Sequence, residues 1–480
     1  MKTDYKFVEY GRFSSEFEYS QLFQLCIEKN GVQTGPFGSQ LHKEDYVAQG
    51  TPIITVEHLG DNRIIHIDTP FVTDDDKNRL QKYQMKEGDI IFSRVGSVDR
   101  RALVRKDEDG WLFSGRCLCV RVDKTKINPT YLSYFFGLES FKKYIRGIAV
   151  GATMPSINTK ILSDVPVYYP KNLNQQKQIA KILSDLDDKI HLNNQINQTL
   201  ESIAQTIFKS WFIDFDPVRA KIAAKQEGKD AELAAMCAIS GKSEAEVEQM
   251  AKEDFAELQA TATLFPDELV ESELGEVPKG WDKYSLSKMI TLIGGGTPKR
   301  SEPNYWNGDI FWFSVKDVPN EGEVFVITTQ EKISELGLNK SSTKLLPVGT
   351  TIITARGTVG KIALVGYEMA MNQSCYGVQG INGVRQFMTY YLIKNAEEVL
   401  KKNTHGAVFD TITQSTFDTV TSIKPSIEMM DLFESKVEKI MGHIKNNLYE
   451  NNSLIALRDT LLPKLLSGEL DVSGVQDEVA

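Results

Sequence analysis

The chain has 480 residues, 41% of them hydrophobic and 25% charged, with a formal net charge of −10. This is ordinary globular composition, long enough for more than one core. It contains no run near the ~18 apolar residues of a membrane span, no apolar signal core after Met1-Lys2-Thr3-Asp4-Tyr5, and an odd five cysteines that make no disulfide framework.

The acid is unevenly placed. By formal count residues 174–275 carry about −9, while residues 31–170 and 276–425 each carry about +2. Two weakly basic segments therefore flank an acidic middle, and each can hold a local basic patch. Solvated surface is the plainer reading of the same numbers.

In chain order, residues 1–173 read as a first module in which short β-branched runs alternate with Gly, Pro and Asn turn signals. Ile90–Phe92, Ala102–Val104 and Leu118–Val122 are predicted strands, and Tyr131–Phe141 a helix. Residues 174–219 hold a long helix, because 175–213 lacks both proline and glycine. Its seam is predicted at Ile179, Ile182, Leu186, Lys189, Asn193, Ile196, Leu200, Ile203 and Ile207, spaced by threes and fours as in a coiled coil. Residues 220–273 are a helical insertion and linker, rich in Ala, Glu, Lys and Gln over 220–262.

The second module, 274–425, repeats the first. Gly88-Asp89-Ile90-Ile91-Phe92-Ser93-Arg94-Val95-Gly96 aligns without a gap on Gly349-Thr350-Thr351-Ile352-Ile353-Thr354-Ala355-Arg356-Gly357, and the match continues to Val104 and Val365. Arg94 and Arg356 differ by one position. Cys117 pairs with Cys375, and Gly151-Ala152 with Gly406-Ala407. Met388–Leu400 is a predicted helix. Residues 426–470 form a second long helix with its seam at Phe433, Val437, Ile440, Ile444, Asn447, Asn451, Leu454, Leu457 and Leu461, and 471–480 a tail. Asn193 aligns with Asn447 and Asn197 with Asn451, and a polar residue in an apolar seam fixes register at a cost in stability. The alternatives are an antiparallel pair of spacer helices or two amphipathic helices packed on their own domains. The period is far too long for a solenoid, so a whole domain plus a helix is duplicated.

Motifs for catalysis do not emerge. Gly241-Lys242-Ser243 lacks the earlier glycine of a phosphate loop. Gly294-Gly295-Gly296 reads as a flexible turn before a phosphate cradle. Cys117 and Cys119 have no nearby histidine for zinc, and Pro266-Asp267 lacks the acid and lysine of a nuclease site. Catalytic and metal residues are therefore expected to be none. What the modules do offer is Arg, Lys, Ser/Thr and Gly gathered in loops between strands, a combination suited to phosphate oxygens and guanine edges. The candidates are Arg94, Ser97, Arg100, Arg101 and Arg116 in the first module. In the second they are Lys299, Arg300, Arg356, Thr358 and Lys361, with Asn372, Gln373 and Ser374 as possible base readers. A hairpin with solvated arginines is the competing reading.

Four further segments carry a resemblance: Phe208-Lys209-Ser210-Trp211-Phe212-Ile213-Asp214-Phe215-Asp216-Pro217-Val218, Leu274-Gly275-Glu276-Val277-Pro278-Lys279-Gly280-Trp281, Gly296-Thr297-Pro298, and Leu461 to Leu470. With the duplication, they resemble the specificity subunit of type I restriction-modification enzymes, the HsdS family. The resemblance implies an α+β fold: two target-recognition domains of mixed strands and helices, separated by two long antiparallel coiled-coil helices in a pseudo-twofold repeat. It implies double-stranded DNA, two methyltransferase (modification) subunits and translocase-nuclease (restriction) subunits as partners, in a prokaryotic cytoplasm. S-adenosylmethionine, ATP and magnesium would act on those other subunits and none in this chain. Asp99 in place of Gly360, and Thr34-Gly35-Pro36 in place of Thr297-Pro298, depart from the shared pattern. A scaffold of duplicated modules without selective DNA binding is the alternative function.

Overall fold

The computed structural model describes residues 5–36, 40–273, 275–403 and 411–472. Leu274, Gly406, Ala407 and the tail from 473 onward lie outside the described residues. The chain divides into two compact units, Met1–Ile190 with Ser453–Ala480, and His191–Asn452.

Each unit is built on a five-stranded sheet. In the first unit the strands are β1 (Val32–Thr34), β2 (Asp61–Asn62), β3 (Ile90–Ser93), β4 (Arg101–Leu103) and β5 (Cys117–Val120), in the order β1-β5-β3-β4-β2. In the second they are β6 (Ile290–Gly294), β7 (Phe325–Val326), β8 (Thr351–Thr354), β9 (Ile362–Val365) and β10 (Cys375–Gly380), in the order β6-β10-β8-β9-β7. The two orders are the same, and in both only the last pairing, β2 on β4 and β7 on β9, is parallel. A three-stranded sheet accompanies each, centred on Thr51–Ile54 and on Trp306–Phe313, with one parallel and one antiparallel neighbour.

The duplication holds at the level of single hydrogen bonds. Arg94 N donates to Arg116 O at 2.8 Å, and Ile157 N to Arg94 O at 3.0 Å. Ala355 N donates to Ser374 O at 2.7 Å, and Ile412 N to Ala355 O at 3.0 Å. Ala355 thus stands where Arg94 stands, and Arg356 where Val95 does, as the gap-free alignment requires.

The β-branched runs form strands because each is buried on both faces. Along β3, Ile90 and Phe92 enter one core and Ile91 another; along β5, Leu118 and Val120 oppose Cys117 and Cys119. This two-residue alternation is strand periodicity. Burial pushes the Cys117 thiol up to about 12, so it packs as a small apolar group. The predicted helix Tyr131–Phe141 is instead two, Pro129–Phe135 and Glu139–Ile148. The break falls at Gly137, where a Cβ would lie 2.2 Å from Arg101 Nη2.

The long helices are α1 (Leu173–Phe212) and α2 (Ile427–Ser467). Within the second unit they run antiparallel: Asn193 Nδ2 donates to Asn451 Oδ1 at 2.9 Å, and Asn447 Nδ2 to Asn197 Oδ1 at 2.9 Å. Exchanging 193 with 447 and 197 with 451 maps one rung onto the other, which is a local twofold. In the first unit Arg458 Nη1 meets Asp187 Oδ1 at 2.8 Å in the same antiparallel sense. The seam differs from the predicted one. On α1 in the second unit the buried face is Asn193, Asn197, Glu201, Ala204, Phe208 and Trp211, whereas Ile196 and Ile203 are 39% and 45% exposed. Lys189 and Leu457 are exposed too. The asparagine rungs, rather than the aliphatic residues beside them, set which face of the helix turns inward.

Residues 216–263 form four helices, Asp216–Gln226, Ala231–Ser240, Glu244–Glu248 and Lys252–Thr263, with a small core of Ala235, Met236, Val247 and Ala262. The Gly241-Lys242-Ser243 triplet is helix punctuation. Gly241 closes one helix at φ +68°, and Ser243 caps the next with Glu246.

Candidate nucleic-acid interface

Strand register gathers the candidate loops at one end of each sheet. In the second unit Gly294 of β6 lies opposite Tyr376, and Thr354 of β8 opposite Cys375. The loops beginning at Gly295 and Ala355, and the segment Asn372–Ser374 that precedes β10, therefore share that end. Lys299, Arg300, Arg356, Thr358, Lys361, Asn372, Gln373 and Ser374 all lie on them.

The glycines here permit close packing and do not form an anion cradle. A Cβ on Gly295 would lie 1.9 Å from Asn372 O, and Gly296 spends its N–H on Met371 O at 2.9 Å. The loop is stapled by two indoles: Trp312 Nε1 donates to Gly296 O at 3.0 Å, and Trp306 Nε1 to Lys299 O at 3.3 Å. The two rings meet edge to face at 5.1 Å. Thr297 Oγ1 donates to Gln373 Oε1, tying the loop to the Asn372–Ser374 segment, while Asn372 Oδ1 accepts Ser374 N at 3.0 Å.

Arg300 lies over the Trp306 ring at 3.8 Å and is held by both oxygens of Glu331, with Nη2 to Oε2 at 3.0 Å. The guanidinium holds the Glu331 carboxyl below its usual range. Arg356 and Lys361 are exposed, with no side-chain hydrogen bond or ion pair among the described residues. Thr358 is exposed beside Gly357, whose φ of +76° matches Gly96 at +81° in the other module.

In the first unit Thr34 lies opposite Leu118 and Ser93 opposite Cys117, so Arg94, Ser97, Arg100 and Arg116 share the equivalent end. Ser97 and Arg116 are exposed. Arg94 is half-buried, with Nη1 to Gly115 O at 3.2 Å. Arg100 reaches back to Leu59 O. Arg101 needs a correction. It sits on β4, 4% exposed, with Nε on Ser133 O at 2.7 Å and Nη1 3.5 Å from Asp61, so it is a structural arginine and not a surface contact. The missing Cβ of Gly360 makes room for Lys401, whose Cε would be 2.4 Å away. Its counterpart Asp99 instead pairs with Arg146 at 2.5 Å.

Residues 15–202 and 278–429 each match the model of the type I restriction modification DNA specificity domain. The specificity subunit of the type I restriction enzyme HindI of Haemophilus influenzae is 33% identical over 439 residues, covering 87% of this chain and 95% of that one. The chain belongs to this family. Another relative is the specificity subunit of the type I restriction enzyme MjaIX of Methanocaldococcus jannaschii, 25% identical over 98% of this chain and 97% of its own. The type I restriction-modification S subunit of M. genitalium shares the fold, with a TM-score of 0.53 over 96% of this chain and 99% of that chain at 14% identity. For a type I specificity subunit, the sequence reading left out the groups that hold the loops still: Trp306, Trp312 and Glu331. The signal was available in part, because positions 306 and 312 lie on one face of a strand. The ion pair across 31 residues was not.

Proposed function

We propose that this chain is the non-catalytic sequence-specificity subunit of a type I restriction-modification complex. Each module reads one half of an asymmetric, bipartite double-stranded DNA target. The reading is carried by one observation: two modules of identical strand order present different side chains on equivalent loops. Common scaffolding with divergent loops is what two unlike half-sites require, since base edges are read by side chains and the fold only positions them.

Helices α1 and α2 set the spacing and dock two methyltransferase subunits, and translocase-nuclease subunits complete the assembly. S-adenosylmethionine, ATP and magnesium act on those subunits. Capture of the tagged chain from its native cell, together with mapping of methylated DNA, tests this. A co-purifying adenine methyltransferase and a split methylated motif that vanishes when the gene is removed are expected. Unchanged methylation would leave the scaffold reading instead.

A further inference from the structure

Among the candidate cations of the second module, Arg300 differs from Arg356 and Lys361. Arg356 and Lys361 carry their charge into solvent with no side-chain partner among the described residues. Arg300 does not. Its side chain is 55% exposed, yet it is fixed on three sides: Trp306 beneath it at 3.8 Å, Trp312 at 5.1 Å, and both oxygens of Glu331, itself 40% exposed. An exposed arginine ordinarily samples many rotamers, and ordering it costs binding energy. Here that ordering is already present in the free chain.

Glu331 is in turn held by its strand. Thr329 Oγ1 donates to Glu331 O at 2.6 Å and accepts Trp312 N at 3.2 Å. Arg300 lies on the same candidate loop as Thr297, which is tied to Gln373, and Glu331 lies on the strand that pairs with Trp306–Phe313.

A guanidinium neutralised by a carboxylate attracts phosphate weakly. It keeps three of its five N–H donors, and each carboxylate oxygen keeps acceptor capacity. Arg donates to guanine O6 and N7, while Glu accepts from cytosine N4. We infer that Glu331 is a specificity-determining residue of the second module. Joined to Arg300 on the Trp306 platform, it forms a neutral unit that reads a G·C pair by its edges and keeps Arg300 off the phosphate backbone. Arg356 and Lys361 supply the charge-driven affinity. This inference rests on the reading that the chain selects DNA sequence.

The test uses the full chain assembled with its methyltransferase subunits, duplex DNA binding measured between 50 and 200 mM salt, and mapping of methylated sites. Arg300→Ala combined with Glu331→Ala, which removes the neutral pair without leaving a bare carboxylate, is expected to leave the salt dependence unchanged while the methylated motif becomes degenerate at one G·C position. Glu331→Gln, which preserves size, is expected to release Arg300 to phosphate. Binding to random duplex should then steepen by about one phosphate contact, roughly threefold more affinity lost across that salt range, with the same degeneracy. Should Glu331→Gln fail to assemble, the double substitution still decides. A flattening of the salt dependence by one contact in the double variant, or an intact motif in either variant, overturns the inference. An unmodified complex with no preferred sequence would instead overturn the reading beneath it.

Discussion

Arg356 and Arg94 show how one residue of offset changes chemistry in a duplicated loop. Arg94 occupies the position of Ala355, where the backbone is bonded on both sides, and its side chain turns to Gly115 O. Arg356 stands one place on, exposed and without a side-chain partner among the described residues. Arg356→Ala is therefore expected to weaken DNA binding by the assembled complex across all sequences, with the salt slope falling by about 1. Equal affinity at matched salt would remove Arg356 from the interface.

A second prediction concerns Glu434, which accepts the backbone N–H groups of Phe387 and Met388 at the start of helix Gln386–Lys402. Burial raises its carboxyl above the ordinary 4.5, outweighing those hydrogen bonds, which lower it. A raised carboxyl contributes stability below its unfolded value and loses it as pH rises through its folded one. The melting temperature of Glu434→Gln relative to the parent should therefore move in favour of the variant as pH rises above the ordinary 4.5. A pH-independent difference would contradict this.

At the scale of elements, the asparagine rungs of α1 and α2 couple register to stability. Asn193 Oδ1 and Asn197 Nδ2 are buried without hydrogen-bond partners among the described residues, so the ladder is costly as well as specific. Asn193→Leu alone strands the Asn451 oxygen and is expected to cost about 1–3 kcal/mol. Asn193→Leu with Asn451→Leu should recover most of that in thermal unfolding of the full chain. A double variant no more stable than the single would show that the rung is not a coupled pair.

Sequence periodicity located both helices and the rung residues, because a residue-by-residue repeat is visible in one dimension. It misplaced the seam at Ile196, Ile203 and Leu457. A three-four spacing is shared by adjacent helix faces, and only tertiary contacts decide between them. Strands β3 to β5 were legible from their apolar runs. The short parallel partners, β2 and β7, were not, since two residues make no pattern. Among the candidate site residues, the loop positions followed from Gly and Arg content. Arg101 misled because a strand arginine that bonds a helix carbonyl looks in sequence like its solvent-facing neighbours.

At the scale of the molecule, the family relationship and the repeated topology describe one design, a common frame with two sets of divergent loops. If each set reads its own half-site, the halves must be separable. The most direct measurement replaces residues 276–425 by the corresponding module of a relative with a different target, then maps methylated DNA in cells that make the hybrid and the methyltransferase. The expected result is a methylated motif that keeps one half and the spacer length of the parent and exchanges the other half. A motif altered in both halves, or one unchanged from the parent, would contradict it.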